Sequence, residues 1–210
     1  MTEASRPNIV VVVADDMGYG DLGLFNDGRS STPHLNALAE EGVCLTQHYS
    51  ASPVCAPARA GLLTGRYPHR TGAIDTLHGR GLDRIALSEL TVADLFRSTG
   101  YRTGLIGKWH NGALDPRYHP NARGFDEFAG FSGGASDYYA YTLDLNGTEV
   151  EGDGRYLTDV LTEHALAFLR RHAHKPFFLV VAYNAPHFPM QAPETIVERY
   201  TAPSVSPAAV

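Results

Sequence analysis

The chain has 210 residues, of which 43% are hydrophobic, and its formal net charge is −6. This length and composition allow a substantial buried core, so we expect one globular domain. The acidic balance argues against a protein that binds nucleic acid, because that function needs a basic face.

The first predicted element is a strand at NIVVVVA, residues 8–14. A continuous run of β-branched residues is typical of a strand that is buried on both faces. This longest apolar run of the sequence is far too short to cross a bilayer. Two aspartates follow it at once, which does not fit a secretory signal peptide. We therefore expect no membrane association and a cytoplasmic location.

Helix and strand patterns then alternate along the chain. Thr32 and Gly42 have the residue types expected at the start and stop of a first helix. The predicted elements are a helix at STPHLNALAEEG (31–42), a strand at VCLTQHY (43–49), a helix at TVADLFRSTG (91–100), a strand at RTGLIG (102–107), a helix at LTDVLTEHALAFLRRH (157–172) and a strand at PFFLVVAY (176–183). This order predicts an α/β fold with a mostly parallel sheet flanked by helices.

Polar segments follow three of the predicted strands. Asp15 and Asp16 come after the first strand, residues 108–110 (Lys-Trp-His) after RTGLIG, and residues 184–189 after PFFLVVAY. Ligands of open α/β sheets bind outside the carboxyl ends of the strands. We therefore expect these segments to meet at one edge of the sheet, together with the segment around Cys55.

The adjacent carboxylates of Asp15 and Asp16 indicate a cation site. Like charges repel, and oxygen ligands suit a hard ion such as Ca²⁺ or Mg²⁺. Two carboxylates do not fill the shell of such an ion, so further ligands must come from elsewhere. The structural alternative is a loop in which one aspartate caps the following turn.

Cys55 lies in the segment CAPAR, residues 55–59, and Cys44 is the only other cysteine. A cysteine-dependent phosphatase needs its arginine further along the loop, where this chain has Gly61. A buried, inert cysteine is a second reading. The segment matches Cys-x-Pro-x-Arg, the recognition sequence for conversion of cysteine to formylglycine, and Thr64-Gly65 continue that match. At this point the chain resembles the sulfatase family of the alkaline phosphatase superfamily.

Further segments carry the same resemblance over residues 7–195. PNIVVVVADDMGYGDLG is similar to the opening strand and metal loop of sulfatases, and GKWH (107–110) and APHFP (185–189) are similar to two later family segments. Several matching segments in the family's order are much more specific than one short motif. The resemblance implies an alkaline-phosphatase-like α/β fold and concerns the N-terminal portion of a sulfatase.

The resemblance also implies a metal centre and a nucleophile. Asp15 and Asp16 would bind a divalent cation, Ca²⁺ with Mg²⁺ as the alternative. Cys55 would become formylglycine, whose hydrated aldehyde attacks sulfur and also touches the metal. Arg59 would hold that hydrate. The second hydroxyl of the hydrate then loses a proton and sulfate leaves, so that no water has to attack sulfur.

Three further residues take roles in proton transfer and charge neutralisation. By the resemblance, Lys108 and His110 lie against the sulfate and the hydrate, and His187 lies near the leaving-group oxygen. A sulfate ester is shielded by anionic oxygens, so a local group of positive charges is expected to stabilise the charge that develops during attack. His110 is the candidate base, and His187 or Lys108 protonates the departing alcohol.

The function implied is that of a sulfuric ester hydrolase acting on a small-molecule or sugar sulfate ester. A formylglycine-generating maturation enzyme is the implied protein partner. A formylglycine-dependent phosphodiesterase or phosphonate monoester hydrolase stays open, because phosphate diesters resemble sulfate monoesters in size and charge. A non-catalytic fragment is the third reading.

The sequence divides into a sulfatase N-terminal catalytic region at 1–200 and an irregular tail at 201–210. The tail, TAPSVSPAAV, consists of small residues and prolines and is expected to be a truncated or frame-shifted end. Sulfatases are longer and hold their remaining metal ligands in a later part. We therefore expect an incomplete sheet and little or no activity of the 210-residue chain by itself.

Overall fold

A computed structural model describes residues 6–201. Of the tail predicted at 201–210, residues 202–210 lie outside the described part of the chain. The strands of the described part are β1 Ile9–Asp15, β2 Arg102–Lys108, β3 Glu127–Phe131, β4 Thr142–Leu145, β5 Thr148–Glu151 and β6 Phe177–Pro186. Its α-helices are α1 Pro33–Glu41, α2 Cys55–Thr64, α3 Val92–Ser98, α4 Leu157–His172 and α5 Glu194–Thr201.

One sheet, with the strand order β1-β6-β2-β3-β4-β5, forms the centre of the fold. Strands β1, β6, β2 and β3 are parallel, whereas β4 and β5 extend the sheet in antiparallel pairing. Helices pack on both faces of the parallel part. The predicted fold class, a mostly parallel sheet flanked by helices, is therefore confirmed.

Each face of the sheet carries its own apolar core. Helix α4 packs Leu161 and Phe168 onto one face. On the other face, α2 and α3 contribute Ala60 and Ala93. Strand β2 approaches α4 closely at Gly104, where a Cβ atom would lie 2.6 Å from the Phe168 ring. Because β1, β6, β2 and β3 run parallel, their carboxyl ends form one edge of the sheet.

Strand β1 exists as predicted, but it is not buried on both faces. Val10 is 47% exposed and Val12 is 62% exposed. Among the described residues β1 pairs only with β6, and it is therefore an edge strand. The β-branched run indicated a strand correctly, but it carries no information on what covers the second face.

The strand predicted at VCLTQHY, residues 43–49, was wrong. This segment has no strand structure, and both Val43 and Leu45 are exposed. Alternation of apolar and polar residues stabilises a strand only when a neighbouring strand accepts its backbone hydrogen bonds. The described part of the chain places no such neighbour beside it.

The remaining predicted elements are confirmed within a few residues. Helix α3 begins at a capping box in which the Thr91 side chain accepts a hydrogen bond from the Asp94 amide. Helices α1 and α4 and strands β2 and β6 occupy the expected segments. The elements that were not predicted are α2, α5, β3 and the hairpin formed by β4 and β5. Of the helices described here, none has both the length and the hydrophobicity needed to cross a membrane.

The core on the α4 face yields a stability prediction. Phe168→Ala removes a fully buried ring from α4 and leaves a cavity against β2, so the free energy of unfolding should fall by about 3–5 kcal/mol. Leu166→Ala on the exposed face of the same helix is the control and should cost far less. Denaturant unfolding followed by circular dichroism measures both, and equal losses would contradict the packing described.

Candidate active site

Asp15, Cys55 and His187 lie together at the carboxyl edge of the sheet. Each offers one potential ligand atom, and these atoms all lie within 4.8 Å of one another. Asp15 ends β1, His187 directly follows β6, and Cys55 opens α2. The convergence expected from the sequence is thus present. It brings together residues that lie as far as 172 positions apart in the chain.

A buried ion-pair group centred on Asp15 forms the floor of this site. One Asp15 oxygen accepts a 3.0 Å hydrogen bond from Arg59, and the other accepts a 2.5 Å hydrogen bond from Lys108. Arg59 also donates to the main-chain oxygen of Lys108 at 3.0 Å. All three side chains are buried. Two positive charges surround one negative charge, so the buried group of these three side chains carries an excess of positive charge.

The Asp15 carboxyl is ionised in this environment. Its burial by itself opposes ionisation, but the charges and hydrogen bonds of Arg59 and Lys108 outweigh that effect and lower its pKa. An ionised buried carboxylate is costly unless it is paired and hydrogen-bonded. The three side chains therefore depend on one another, and Asp15 fixes where both cations lie.

Cys55 is the first residue of α2, with Val54 at the N-cap. The backbone amides of a helix N-terminus attract negative charge to this position. The thiol is free and half-buried, whereas Pro57 and Arg59 of the same segment are buried against the sheet. The segment therefore presents residue 55 to the site and uses its other residues to anchor the helix.

His187 is held by hydrogen bonds on both its ring and its backbone. Its Nδ1 lies 2.7 Å from the carbonyl oxygen of Phe188, and because a carbonyl only accepts, Nδ1 carries the proton. Nε2 then faces the site, 3.7 Å from a carboxylate oxygen of Asp16. The hydroxyl of Tyr138 donates to the main-chain oxygen of His187 at 2.8 Å. Burial raises the pKa of Tyr138 to about 12, so this donor keeps its proton.

Asp16 differs from its neighbour Asp15. Its backbone has a φ of 64°, and its side chain is 56% exposed. The positive φ turns the chain at the end of β1, so that one carboxylate points into the protein and the next lies at the surface. The adjacent pair predicted from the sequence is therefore one buried ion-pair partner and one accessible carboxylate.

His110 lies on the β2 side of the site, apart from the cluster formed by Asp15, Cys55 and His187. Its ring is buried, and its Nε2 donates to the main-chain oxygen of Thr76 at 3.2 Å. The loop after β3 passes directly over it, since a Cβ on Gly134 would lie 2.6 Å from the ring. The structure thus fixes the orientation of His110, which is not a member of the group of ligand atoms formed by Asp15, Cys55 and His187.

Two residues of the site region belong to no motif found in the sequence. Tyr138 orients His187, and its backbone amide donates to the Gln191 side chain at 2.9 Å. Asn184 is 1% exposed, and among the described residues neither its Oδ1 nor its Nδ2 has a hydrogen-bond partner. A buried amide without partners is rare and costs stability. A polar residue directly after the apolar run of β6 was the available indication for Asn184, and the group of tyrosines at 138, 139 and 141 was the indication for Tyr138.

The residues present supply part of the ligand shell that a hard cation needs. Asp15 supplies a carboxylate oxygen and residue 55 lies within reach of it, whereas Asp16 is not part of this group and approaches it only at His187. Ca²⁺ takes about six to eight oxygen ligands, more than these side chains provide. Both oxygens of Asp15 are bonded to Arg59 and Lys108. A cation at this carboxylate therefore competes with Lys108 or uses a second lone pair of the same oxygen.

The comparisons with known proteins agree on one family. The family model described as Sulfatase matches residues 7–204. Human N-acetylgalactosamine-6-sulfatase is 37% identical over 212 residues, which covers 89% of this chain and 40% of that protein. Arylsulfatase H of Canis lupus familiaris is 49% identical over 142 residues, covering 62% of this chain and 25% of that protein. The chain thus spans well under half the length of these curated relatives.

Solved structures show the same similarity in three dimensions. The crystal structure of Ps i-CgsB in complex with k-i-k-neocarrahexaose is 36% identical and superposes with a TM-score of 0.89, covering 96% of this chain and 49% of that one. BT4656, solved in complex with its substrate D-glucosamine-2-N,6-O-disulfate, is 29% identical with a TM-score of 0.76, covering 87% of this chain and 35% of that one.

The buried ion-pair group gives a direct test of the role of Asp15. Asp15→Asn removes the negative charge and leaves Arg59 and Lys108 buried without compensation, so the free energy of unfolding should fall by about 3–5 kcal/mol. Asp16→Asn at the exposed neighbour is the matched control and should change stability by less than about 0.5 kcal/mol. Urea denaturation of both variants measures the difference, and equal effects would show that Asp15 does not organise the two cations.

Proposed function

Because the chain belongs to the sulfatase family, we propose that it forms the nucleophile-bearing part of a sulfuric ester hydrolase that cleaves a sulfate monoester. The observation that carries this proposal is the buried group of Asp15, Arg59 and Lys108 beside Cys55. A sulfate ester brings negative charge to the site, and the excess positive charge of this group attracts it. Fixed positive charges also stabilise the charge that develops during attack on sulfur.

We assign the nucleophile to residue 55 after conversion of its thiol to formylglycine. The hydrated aldehyde supplies a hydroxyl that attacks sulfur and a second hydroxyl whose deprotonation allows sulfate to leave. The segment Cys55-Ala-Pro57-Ala-Arg59 supports this assignment, since it matches the recognition sequence for that conversion. A formylglycine-generating enzyme is therefore the expected maturation partner.

The remaining residues bind the substrate and move protons. Arg59 and Lys108 are hydrogen-bonded to Asp15, and their proposed role is to neutralise the sulfate oxygens. The Nε2 of His187 faces the site without its own proton when Nδ1 donates to Phe188, so it takes up a second proton before it can protonate the departing alcohol. His110 is the candidate base for the second step, which requires its ring to reach the hydrate in the bound state.

We propose Ca²⁺ as the cation, with Mg²⁺ as the alternative. Asp15 and Asp16 would hold it together with an oxygen of the converted residue 55. A bound divalent cation supplies charge stabilisation at the sulfate oxygens. The cation's remaining ligands are expected to be water or residues outside the described part of the chain.

The names of the relatives and neighbours support a proposal on the substrate class. Names among them include arylsulfatase, steryl-sulfatase and N-acetylgalactosamine-6-sulfatase, and BT4656 was solved with a disulfated glucosamine. We therefore propose a sugar or small-molecule sulfate ester as the substrate. The three curated relatives are named as sulfatases and the substrate of BT4656 is sulfated, which favours this function over phosphonate or phosphodiester hydrolysis.

The proposed function is tested with the chain co-expressed with a formylglycine-generating enzyme. We expect slow hydrolysis of 4-nitrophenyl sulfate that increases with Ca²⁺, because the described donors supply only part of the cation's shell. Cys55→Ala should abolish this hydrolysis, since it removes the nucleophile. Cys44→Ala at the exposed second cysteine is the matched control and should leave the rate unchanged.

Release of 4-nitrophenol, followed by absorbance, measures these rates. Hydrolysis that persists in Cys55→Ala would contradict the assigned nucleophile. Faster hydrolysis of a 4-nitrophenyl phosphonate monoester than of the sulfate would favour the phosphonate hydrolase. No hydrolysis of either ester by the converted chain would show that these residues do not form a catalytic site by themselves.

A further inference from the structure

A cavity adjoins the candidate active site on the β1 and β6 side. It has a volume of about 560 Å³ and is lined in part by Met17, Pro186, Phe188 and Met190. Phe188 is 66% exposed and Met190 is 83% exposed. Large apolar side chains at this exposure, gathered around one concave surface, are characteristic of a binding groove.

His187 joins this cavity to the active site. Its ring lines the cavity and stacks on Phe188, with the ring centroids 4.6 Å apart and the planes inclined by 23°. Nδ1 is occupied by the Phe188 carbonyl, so Nε2 is the ring atom available to a substrate. An ester whose bridging oxygen is reached by Nε2 therefore places its sulfate towards Cys55 and its alcohol part towards Phe188.

The charges of the cavity restrict what the alcohol part can be. Asp16 and Asp21 both line it, and the Asp21 carboxylate is held by the Gly18 amide at 2.7 Å. The carboxylate of Asp21, which is not among the proposed cation ligands, repels a second anionic group on the substrate. The remaining walls are a phenyl ring, a proline and two thioether side chains, which favour a flat apolar group through stacking and sulfur–aromatic contacts.

We infer that this cavity is the leaving-group subsite and that Phe188 selects a sulfate monoester of an uncharged aromatic alcohol. The inference rests on the proposed function, because it takes the sulfate position from Cys55 and the proton donor from His187. Phe188 acts as a specificity-determining residue. It contacts the aromatic ring of the substrate and takes no part in bond breaking.

Ligand binding by the unconverted chain tests this subsite, because a thiol at residue 55 allows binding to be measured without hydrolysis. Titration calorimetry in the presence of Ca²⁺ gives the Kd of inorganic sulfate, methyl sulfate and 4-nitrophenyl sulfate. We expect 4-nitrophenyl sulfate to bind about three- to tenfold more tightly than methyl sulfate. Phe188→Ala should remove that preference and leave the Kd of inorganic sulfate unchanged.

Two further variants keep the test specific. Tyr67→Ala removes another exposed ring that stacks on a histidine, His69, beyond the opposite end of α2, and should leave the aryl preference intact. Phe188→Trp retains an aromatic surface and should retain the preference. Unchanged sulfate binding in each variant shows that the active site is still folded.

The outcomes separate this inference from the function on which it rests. Sulfate binding without any preference for the aryl ester, or a preference that survives in Phe188→Ala, overturns the subsite but not the proposed hydrolase. Failure of the wild-type chain to bind any of the three ligands overturns both. Loss of the preference in Tyr67→Ala as well would mean that the ring at 188 has no specific role.

Discussion

The buried carboxylate of Asp15 is the constraint on which the rest of the site depends. It holds Arg59 from α2 and Lys108 from β2, and so connects the helix that carries Cys55 with the centre of the sheet. Without that negative charge, two cations would be buried without compensation, at a cost of several kcal/mol. The same three side chains carry an excess of positive charge, which is what an anionic ester requires. Folding and substrate attraction thus rely on one ion-pair group.

Much of the fold was predictable because its main elements carry strong local patterns. The apolar runs of β1 and β6 and the periodic apolar face of α4 can be recognised in the sequence without tertiary information. The error at residues 43–49 arose because alternation was taken as sufficient for a strand. The β4–β5 hairpin had a usable indication in Asn146-Gly147, whose positive φ angles of 55° and 90° form its turn. Helix α2 contains a proline and a glycine, and burial stabilises it in spite of that composition.

The site residues that belong to a sequence motif were predictable. The features of the site that depend on tertiary contacts were not. Asp15, Cys55 and His187 were expected to converge and do so. The exposure of Asp16 follows from a left-handed turn that the sequence does not reveal. Within the described part of the chain, Asn184 presents a buried amide without partners, a cost in stability that sites for ligands commonly carry. The identity of the cation, the conversion of Cys55 and the cytoplasmic location remain predictions.

The most direct test of the central claim is the mass of the tryptic peptide that contains residue 55, after co-expression with a formylglycine-generating enzyme. The claim is that the positive charges held by Asp15 surround an aldehyde derived from Cys55. We predict the mass of the aldehyde or its hydrate at residue 55, together with loss of thiol labelling there and unchanged labelling at Cys44. An unmodified thiol at Cys55, in a chain that the maturation enzyme has encountered, would contradict the account.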